Sequence, residues 1–448
     1  MENNDRILNF HKITSVFRGF LGASEFEIKA ICLLFLKYSM DNKIFTEQFN
    51  DDNEKVLSAL VDLQTSLFKG YEIVPALRRY IVETFGKIKT NNFDFGNELY
   101  SIYEKIGMFD MTKDGKIFQT LLSIDLTNSR EELLNYIDLL IMNSGRIGGE
   151  YSSNNSLVEL SISLLKPSEN DVCYDPFVGC GAFINSLPNN VKIYGNDISY
   201  NSLIISIIKC IISGKIGKTN SLVLLSRNDT FFEYNLIKAD CIFADGPINV
   251  PLKNPSLAND IRFSMLGDVS IDSNIASILN AVYSLNDNGK AVITIPAGVL
   301  YKTTKSYVEL RKYLVENNLI EAIIELPSMW NAISIQTYLL FISKNKDNDL
   351  ITFVSSGTNE YHQFTEKKDA RTNILTKEGI AMISDIVLNK KELSNVSKNV
   401  LCGEIEKESF NLSANRYIEK IAYNEHRPIS EIDSDIKDVI EKIKNNLK

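Results

Sequence analysis

At 448 residues the chain is too long for one ordinary hydrophobic core, so two or three domains are expected. Hydrophobic residues at 44% and charged residues at 23% give the balance of an ordinary soluble globular protein. A net charge of -9 excludes a global basic footprint for nucleic acid, although Lys and Arg can still line one groove of an acidic protein or act beside a partner.

In chain order, residues 1–145 read as a helical amino-terminal domain. The segment 25–40 carries apolar residues at Ile28, Ile31, Cys32, Leu34, Phe35 and Tyr38, close to helical period, and 51–67, 74–85 and 130–144 repeat the pattern. Nothing in this part names a chemistry; an interaction or clamp domain and a purely structural cap both stay open. From 146 to 350 short β-branched runs alternate with helices. That pattern argues for an α/β domain with a doubly wound, mostly parallel sheet covered on both faces. Strands are predicted at 172–174, 192–195, 221–225, 241–244, 290–295, 320–325 and 337–343, and helices at 157–165, 200–213, 273–285 and 306–316. Residues 351–448 are predicted as a mostly helical extension: a short apolar stretch at 351–354, then charged helical segments around 379–388 and 432–443. The pair Lys390-Lys391 and the Lys-rich end at 442–448 read as solvated helix ends.

Six cysteines (Cys32, Cys173, Cys180, Cys210, Cys241 and Cys402) form no Cys-x-x-Cys pair, and with His11, His362 and His426 they offer no zinc spacing. Most read as buried, reduced packing residues, and no metal is expected. The start, Met1-Glu2-Asn3-Asn4-Asp5-Arg6, lacks the layout of a signal peptide. The longest apolar run, 204–212, is interrupted by Ser206 and Lys209 and is too short to span a bilayer. A cytoplasmic protein without membrane contact is expected.

The stretch that points to a ligand is Asp175-Pro176-Phe177-Val178-Gly179-Cys180-Gly181-Ala182-Phe183. It follows one predicted strand and leads to a second that ends at Asn196-Asp197. A strand, a Gly-x-Gly turn and a second strand ending in a carboxylate form the pattern by which a doubly wound sheet holds a nucleoside. The glycines admit close backbone approach, and the carboxylate accepts from ribose hydroxyls. Gly-x-Gly alone is equally explained as a simple strand-to-helix turn. Asp197 and then Asp229, in Asn228-Asp229-Thr230 after the third strand, add carboxylates at three successive strand ends; Asp229 is placed to accept from the exocyclic amine of an adenine.

After the fourth strand comes Ala244-Asp245-Gly246-Pro247-Ile248. With it the chain resembles the modification (methyltransferase) subunits of type I restriction–modification systems, a family of S-adenosylmethionine-dependent DNA adenine methyltransferases. Residues 149–154 stand where that family has Gly-Glu-Phe-Tyr-Thr-Pro, and 175–183 resemble its Asp-Pro-Ala-Cys-Gly-Ser-Gly-Gly-Phe loop. Asn228-Asp229-Thr230 resembles its Gly-Asp-Thr. Arg262-Phe263 with Gly267, the runs 289–301 and 323–327, Thr337 to Phe341 and Phe410 to Ser413 follow in order, so the resemblance covers about residues 145–420.

The resemblance implies a Rossmann-like S-adenosylmethionine-dependent methyltransferase fold. Asp175, Gly179, Gly181, Phe183, Asp197 and Asp229 would hold S-adenosylmethionine, and Tyr151 and Ser153 would close over its methionine end. Asp245 and Pro247 would face the target amine. It implies DNA as a partner through a separate specificity subunit, a restriction (nuclease) subunit beside it, and an oligomeric assembly. The family's catalytic tetrapeptide is Asn-Pro-Pro-Phe or Asn-Pro-Pro-Tyr, whereas here it is Asp245-Gly246-Pro247-Ile248. Gly246 loosens the backbone that aims a carbonyl. Ile248 removes a stacking surface of about 1–3 kcal/mol for an extruded base. Trp330, Phe231 and Phe232 are candidate substitutes for that surface, or simply core. Lys302, Lys305, Arg311 and Lys312 are candidate phosphate contacts, or a solvated helix face. Besides an active enzyme, two readings therefore remain: a cofactor-binding scaffold without transfer activity, and transfer to a non-DNA substrate.

Overall fold

A computed structural model of the chain describes residues 15, 18, 26–44, 53–70, 72–90, 92–106, 121–143, 153–216, 222–233, 237–253, 257, 260–267, 269–329, 335–355, 364–367 and 373–418. The front of the chain is helical, as the apolar spacing predicts: α1 (Phe26–Asp41), α2 (Asn53–Lys69) and α3 (Ile73–Phe85) come first. An unpredicted hairpin follows, β1 (Lys89–Thr90) and β2 (Phe93–Asp94), then α4 (Phe95–Ile106) and α5 (Arg130–Asn143). Helix α1 is buried almost all round, from Phe26 to Met40. Its polar atoms are answered from outside: Tyr103 donates its hydroxyl to the Cys32 carbonyl at 2.7 Å, and Tyr80 to the Ser39 hydroxyl at 3.0 Å.

The α/β part runs α6 (Asn155–Leu165), β3 (Val172–Asp175), α7 (Ala182–Ser186), β4 (Lys192–Asp197), α8 (Tyr200–Ile212), β5 (Leu222–Arg227) and β6 (Ala239–Ala244). It continues α9 (Ser273–Ser284), β7 (Leu285–Pro296), α10 (Gly298–Tyr301), α11 (Lys305–Glu316), β8 (Ile320–Glu325), β9 (Thr337–Ser343) and β10 (Leu350–Val354). A small pair, β11 (Thr365–Lys367) and β12 (Asn373–Leu375), precedes α12 (Lys377–Leu388), β13 (Ser397–Leu401) and α13 (Cys402–Lys407). Among the described residues one large sheet has the order β13-β10-β8-β9-β7-β6-β3-β4-β5. It is parallel except that β9 opposes β7 and β8, and β13 opposes β10.

Period-two alternation lets this sheet feed two cores. In β6, Cys241 and Phe243 face the core that includes α6, α8, α12 and the amino-terminal helices, while Ile242 and Ala244 face the core built with α9 and α11. In β9, Leu339 and Phe341 take the first side and Tyr338, Leu340 and Ile342 the second. All six cysteines are buried, as expected of packing residues. The stretch beyond 350, expected to be mostly helical, adds β10 and β13 to the sheet edge. Such short strands carry little periodic signal and are specified by the partner strand they meet. The predicted segment 432–443 lies outside the described residues.

The hairpin covers the opposite edge: Thr90 donates its hydroxyl to the Leu225 carbonyl at 3.1 Å and Asn92 its amide to the Arg227 carbonyl at 2.8 Å. No helix among the described residues is long and apolar enough to cross a membrane. From β3 the chain moves outward through β4 to β5, then returns to β6 on the other side of β3. In an open α/β sheet that reversal opens a crevice at the carboxyl ends of the strands.

Candidate functional site

Three of the sequence-predicted carboxylates stand at the carboxyl ends of neighbouring strands, Asp175 at β3, Asp197 at β4 and Asp245 just past β6, close enough for the latter two to repel Asp175. Asp175 ends β3 and is only 2% exposed; its Oδ1 accepts from the Phe177 N–H at 2.9 Å. Its carboxyl is held well above the usual carboxylate range, by burial first, against the Phe177 N–H, with repulsion from Asp197 and Asp245 adding to it. The two glycines of the loop take positive φ, 50° at Gly179 and 78° at Gly181, which L side chains rarely adopt. The turn is thereby tight enough for the Gly179 N–H to reach Asp197 Oδ2 at 2.7 Å.

Asp197 ends β4 and accepts a second bond at Oδ1 from the Ser199 N–H at 2.9 Å. Burial pushes this carboxyl up too, and the surrounding backbone N–H groups pull it back. Each oxygen keeps a further lone pair for a ligand hydroxyl. Asp229 follows β5, half-buried, with Oδ1 accepting from the Phe231 N–H at 3.0 Å. The turn that carries it is tied inward twice. Thr230 donates its hydroxyl to the Pro176 carbonyl at 2.6 Å. The fully buried Arg262 donates to the carbonyls of Thr230 at 2.6 Å and Phe231 at 2.9 Å, and to Asn280 Oδ1 at 2.9 Å, while pairing with Asp260 at 2.7 Å.

Asp245 stands just past β6, beside β3 in the sheet. The residue keeps some exposure, yet its carboxyl is crowded enough for burial to raise it, with the Ser153 and Thr294 hydroxyls acting in the opposite sense. Pro247 is exposed and Ile248 half-buried.

Other predicted residues lie elsewhere. Phe183 is 1% exposed and its ring stacks on Phe243 at 4.9 Å, so it supports the glycine loop from the core instead of facing the crevice. Phe231 is buried against Phe177, whereas Phe232 is 42% exposed. Arg311 corrects the phosphate reading: it is 2% exposed and donates to the carbonyls of Phe410, Val299 and Lys302, so it braces the carboxyl-terminal segment. Lys312 pairs with Glu316 on the helix surface, and Lys390 with Glu321. Tyr151, Trp330, His11, His362 and His426 lie outside the described residues.

Two residues have a part in this site that the reading of the sequence did not assign. Arg262 enters that reading only as a piece of the family match, Arg262-Phe263 with Gly267; that it clamps the Asp229 turn depends on where β5 and α9 lie. Phe177 carried a signal that went unused, a large ring where the family loop has alanine.

The sequence pattern of the family described as N-6 DNA methylase matches residues 131–426. The type I restriction enzyme MpnII methylase subunit of Mycoplasma pneumoniae is 25% identical, over 97% of this chain and 93% of that protein. The type I restriction enzyme HindI methylase subunit of Haemophilus influenzae is 26% identical, over 61% of this chain and 64% of that protein. In structure, the methyltransferase subunit of a type I restriction–modification system from Streptococcus thermophilus superposes with a TM-score of 0.76 at 17% identity, over 93% of this chain and all of that one (100%), which shows a common fold. With two thirds of its length inside the family pattern, the chain belongs to the N-6 DNA methylase family, and it is similar to the methylase subunits of type I restriction enzymes.

Proposed function

We propose that the crevice binds S-adenosylmethionine and that the chain transfers a methyl group to the exocyclic amine of adenine in DNA. The observation that carries this reading is the placing of Asp175, Asp197 and Asp245 at neighbouring strand ends at the sheet's reversal point, each raised above its usual range by burial and Asp175 also by repulsion from the other two. A cationic ligand with ribose hydroxyls relieves both strains at once. S-adenosylmethionine fits on chemistry: a sulfonium and an ammonium for the carboxylates, a ribose for Asp197, an adenine beside Asp229, and a glycine cradle for the chain between them. When bound it supplies the methyl group.

The chain's own residues do the positioning. Asp175 and the Gly179–Gly181 turn hold the methionine portion, with Ser153 and Tyr151 closing over it. Asp197 accepts from the ribose, and Asp229, clamped through Arg262, from the adenine amine. Asp245 accepts a hydrogen bond from the target amine, which leaves the nitrogen lone pair directed along the line of displacement. The Pro247 segment lies at the open mouth, where an extruded base enters. Orientation and amine polarisation supply the rate, with no covalent enzyme intermediate.

The relatives carry the name of subunits, which supports an oligomeric assembly; the compartment we propose for it is the cytoplasm. In it a specificity subunit would select the DNA site and a nuclease subunit would act alongside. Isothermal titration of the full chain with S-adenosylmethionine tests the first half, and labelled methyl transfer to unmethylated duplex DNA with the specificity subunit present tests the second. A folded chain that binds no S-adenosylmethionine overturns the whole reading. Binding without transfer leaves the alternative that Gly246 and Ile248 motivate, a cofactor-holding scaffold subunit.

A further inference from the structure

The glycine loop and the segment 245–248 pack together at the Phe177 side chain. A methyl group placed on Gly246 would lie 2.5 Å from Phe177 Cε2, 2.6 Å from Cδ2 and 2.9 Å from Cζ. The ring therefore fills the space that any side chain at 246 would need. The backbone at Gly246 gives no other reason for glycine, because it is absent from the positive-φ residues that include Gly179 and Gly181. The ring also meets Phe231, centroids 5.3 Å apart and planes tilted by 47°. Its own N–H is bound to Asp175, and the preceding carbonyl takes the Thr230 hydroxyl. Phe177 is thus seated by the β3 and β5 loops and presses on the β6 loop.

From this contact we infer that Phe177 is the positioning residue for Asp245–Ile248, a buttress from outside that takes the place of stiffness within the segment. Glycine is the most conformationally free residue, so a segment containing Gly246 must be aimed by something it packs against. A half-buried aromatic ring held at its backbone and packed against Phe231 has the rigidity to do so. The chain departs from its family's pattern at both ends of this contact, with a ring for alanine at 177 and glycine for proline at 246. The two departures touch, and they exchange volume across the contact. Gly246 is then the residue that admits the buttress, and restoring proline there alone drives it into the ring.

The inference rests on the methyltransferase reading of the site, and its test has a readout that does not need transfer. In the full chain, Phe177→Ala, Gly246→Pro and the double variant are compared with the unaltered protein. The measurements are amide hydrogen exchange over 244–250, affinity for S-adenosylmethionine, and kcat for methyl transfer to DNA with the specificity subunit. Phe177→Ala is expected to speed exchange over 244–250 and to lower kcat by about tenfold or more while cofactor affinity holds. Gly246→Pro alone is expected to lower kcat by a similar factor. The double variant regains slow exchange and most of the lost rate. If Phe177→Ala lowers only the melting temperature, or the double variant is no better than Phe177→Ala, the ring merely fills space and the inference is wrong. Should Phe177→Ala fail to fold, Phe177→Leu keeps the bulk without the flat ring, and unchanged exchange in it overturns the inference equally. An unaltered protein that transfers no methyl group refutes the proposed function, whereas the exchange comparison still decides for or against the buttress.

Discussion

Arg262 holds Thr230: its Nη1 donates to the Thr230 carbonyl at 2.6 Å from a fully buried position, and so fixes the turn on which Asp229 stands. Burial would raise the carboxyl of its partner Asp260, but the Arg262 hydrogen bonds and charge outweigh this and hold it low. Removing the guanidinium leaves Asp260 and two carbonyls without their donor. Arg262→Ala is therefore expected to cost about 3–5 kcal/mol of stability. Chemical denaturation measures the loss, and a variant within 1 kcal/mol or so of the parent would refute the clamp. Arg262→Lys, which cannot span the same acceptors, should fold but bind S-adenosylmethionine more weakly than the parent.

Asp245 and its neighbours predict a pH dependence with a definite sign. Asp175, Asp197 and Asp245 all have raised folded values, with burial the largest cause in each. Between about pH 4, where an unfolded Asp titrates, and those raised values, the folded chain holds protons that the unfolded chain has released. Their contribution to stability is thus greatest at the acidic end of that window and falls as pH rises through it. Binding of a cation runs the other way and tightens as the carboxylates ionise. Titration calorimetry at about pH 5 and about pH 7 should show the tighter binding at the higher value, and Asp175→Asn should flatten the dependence. Equal affinities in the parent protein would count against a carboxylate-lined cation site.

For methyl transfer, Asp245→Ala should lower kcat by about a hundredfold or more, the scale of losing one orienting contact at the reacting atom. Cofactor affinity should change little, since Asp175, Asp197 and Asp229 remain. Asp245→Asn keeps an acceptor in the same place and should retain most of the rate. Single-turnover kinetics distinguish the two, and equal rates in Asp245→Ala and the parent would remove Asp245 from the chemistry.

Ser206 offers a test of stability apart from chemistry. Its hydroxyl is buried under the glycine loop without a hydrogen-bond partner among the described residues, and a methyl group on Gly181 would run into it. Ser206→Ala removes an unsatisfied polar atom and is expected to stabilise by about 1 kcal/mol. Gly181→Ala combines that collision with a left-handed φ of 78° and should destabilise by about 1–2 kcal/mol or more. Thermal unfolding of the two variants should move in opposite directions.

Much of this molecule was legible in the sequence, for reasons that are local. A strand buried on both faces must be a short β-branched run, and a covering helix must show a 3.6-residue period. The run of elements from 157 to 343 follows from those two rules. The acid-ended strands and the Gly-x-Gly turn are likewise local chemistry, and they mark Asp175, Gly179, Asp197 and Asp229 as candidates from the sequence alone. What tertiary structure alone decided are relations between residues far apart in the chain. That Arg311 braces carbonyls, that Arg262 reaches back over thirty residues to Thr230, and that Phe183 turns into the core depend on which strand lies beside which. So does the meeting of Phe177 with Gly246. Each side chain is visible in the sequence, but a contact energy depends on distance, and the distances are set by which elements the fold brings side by side.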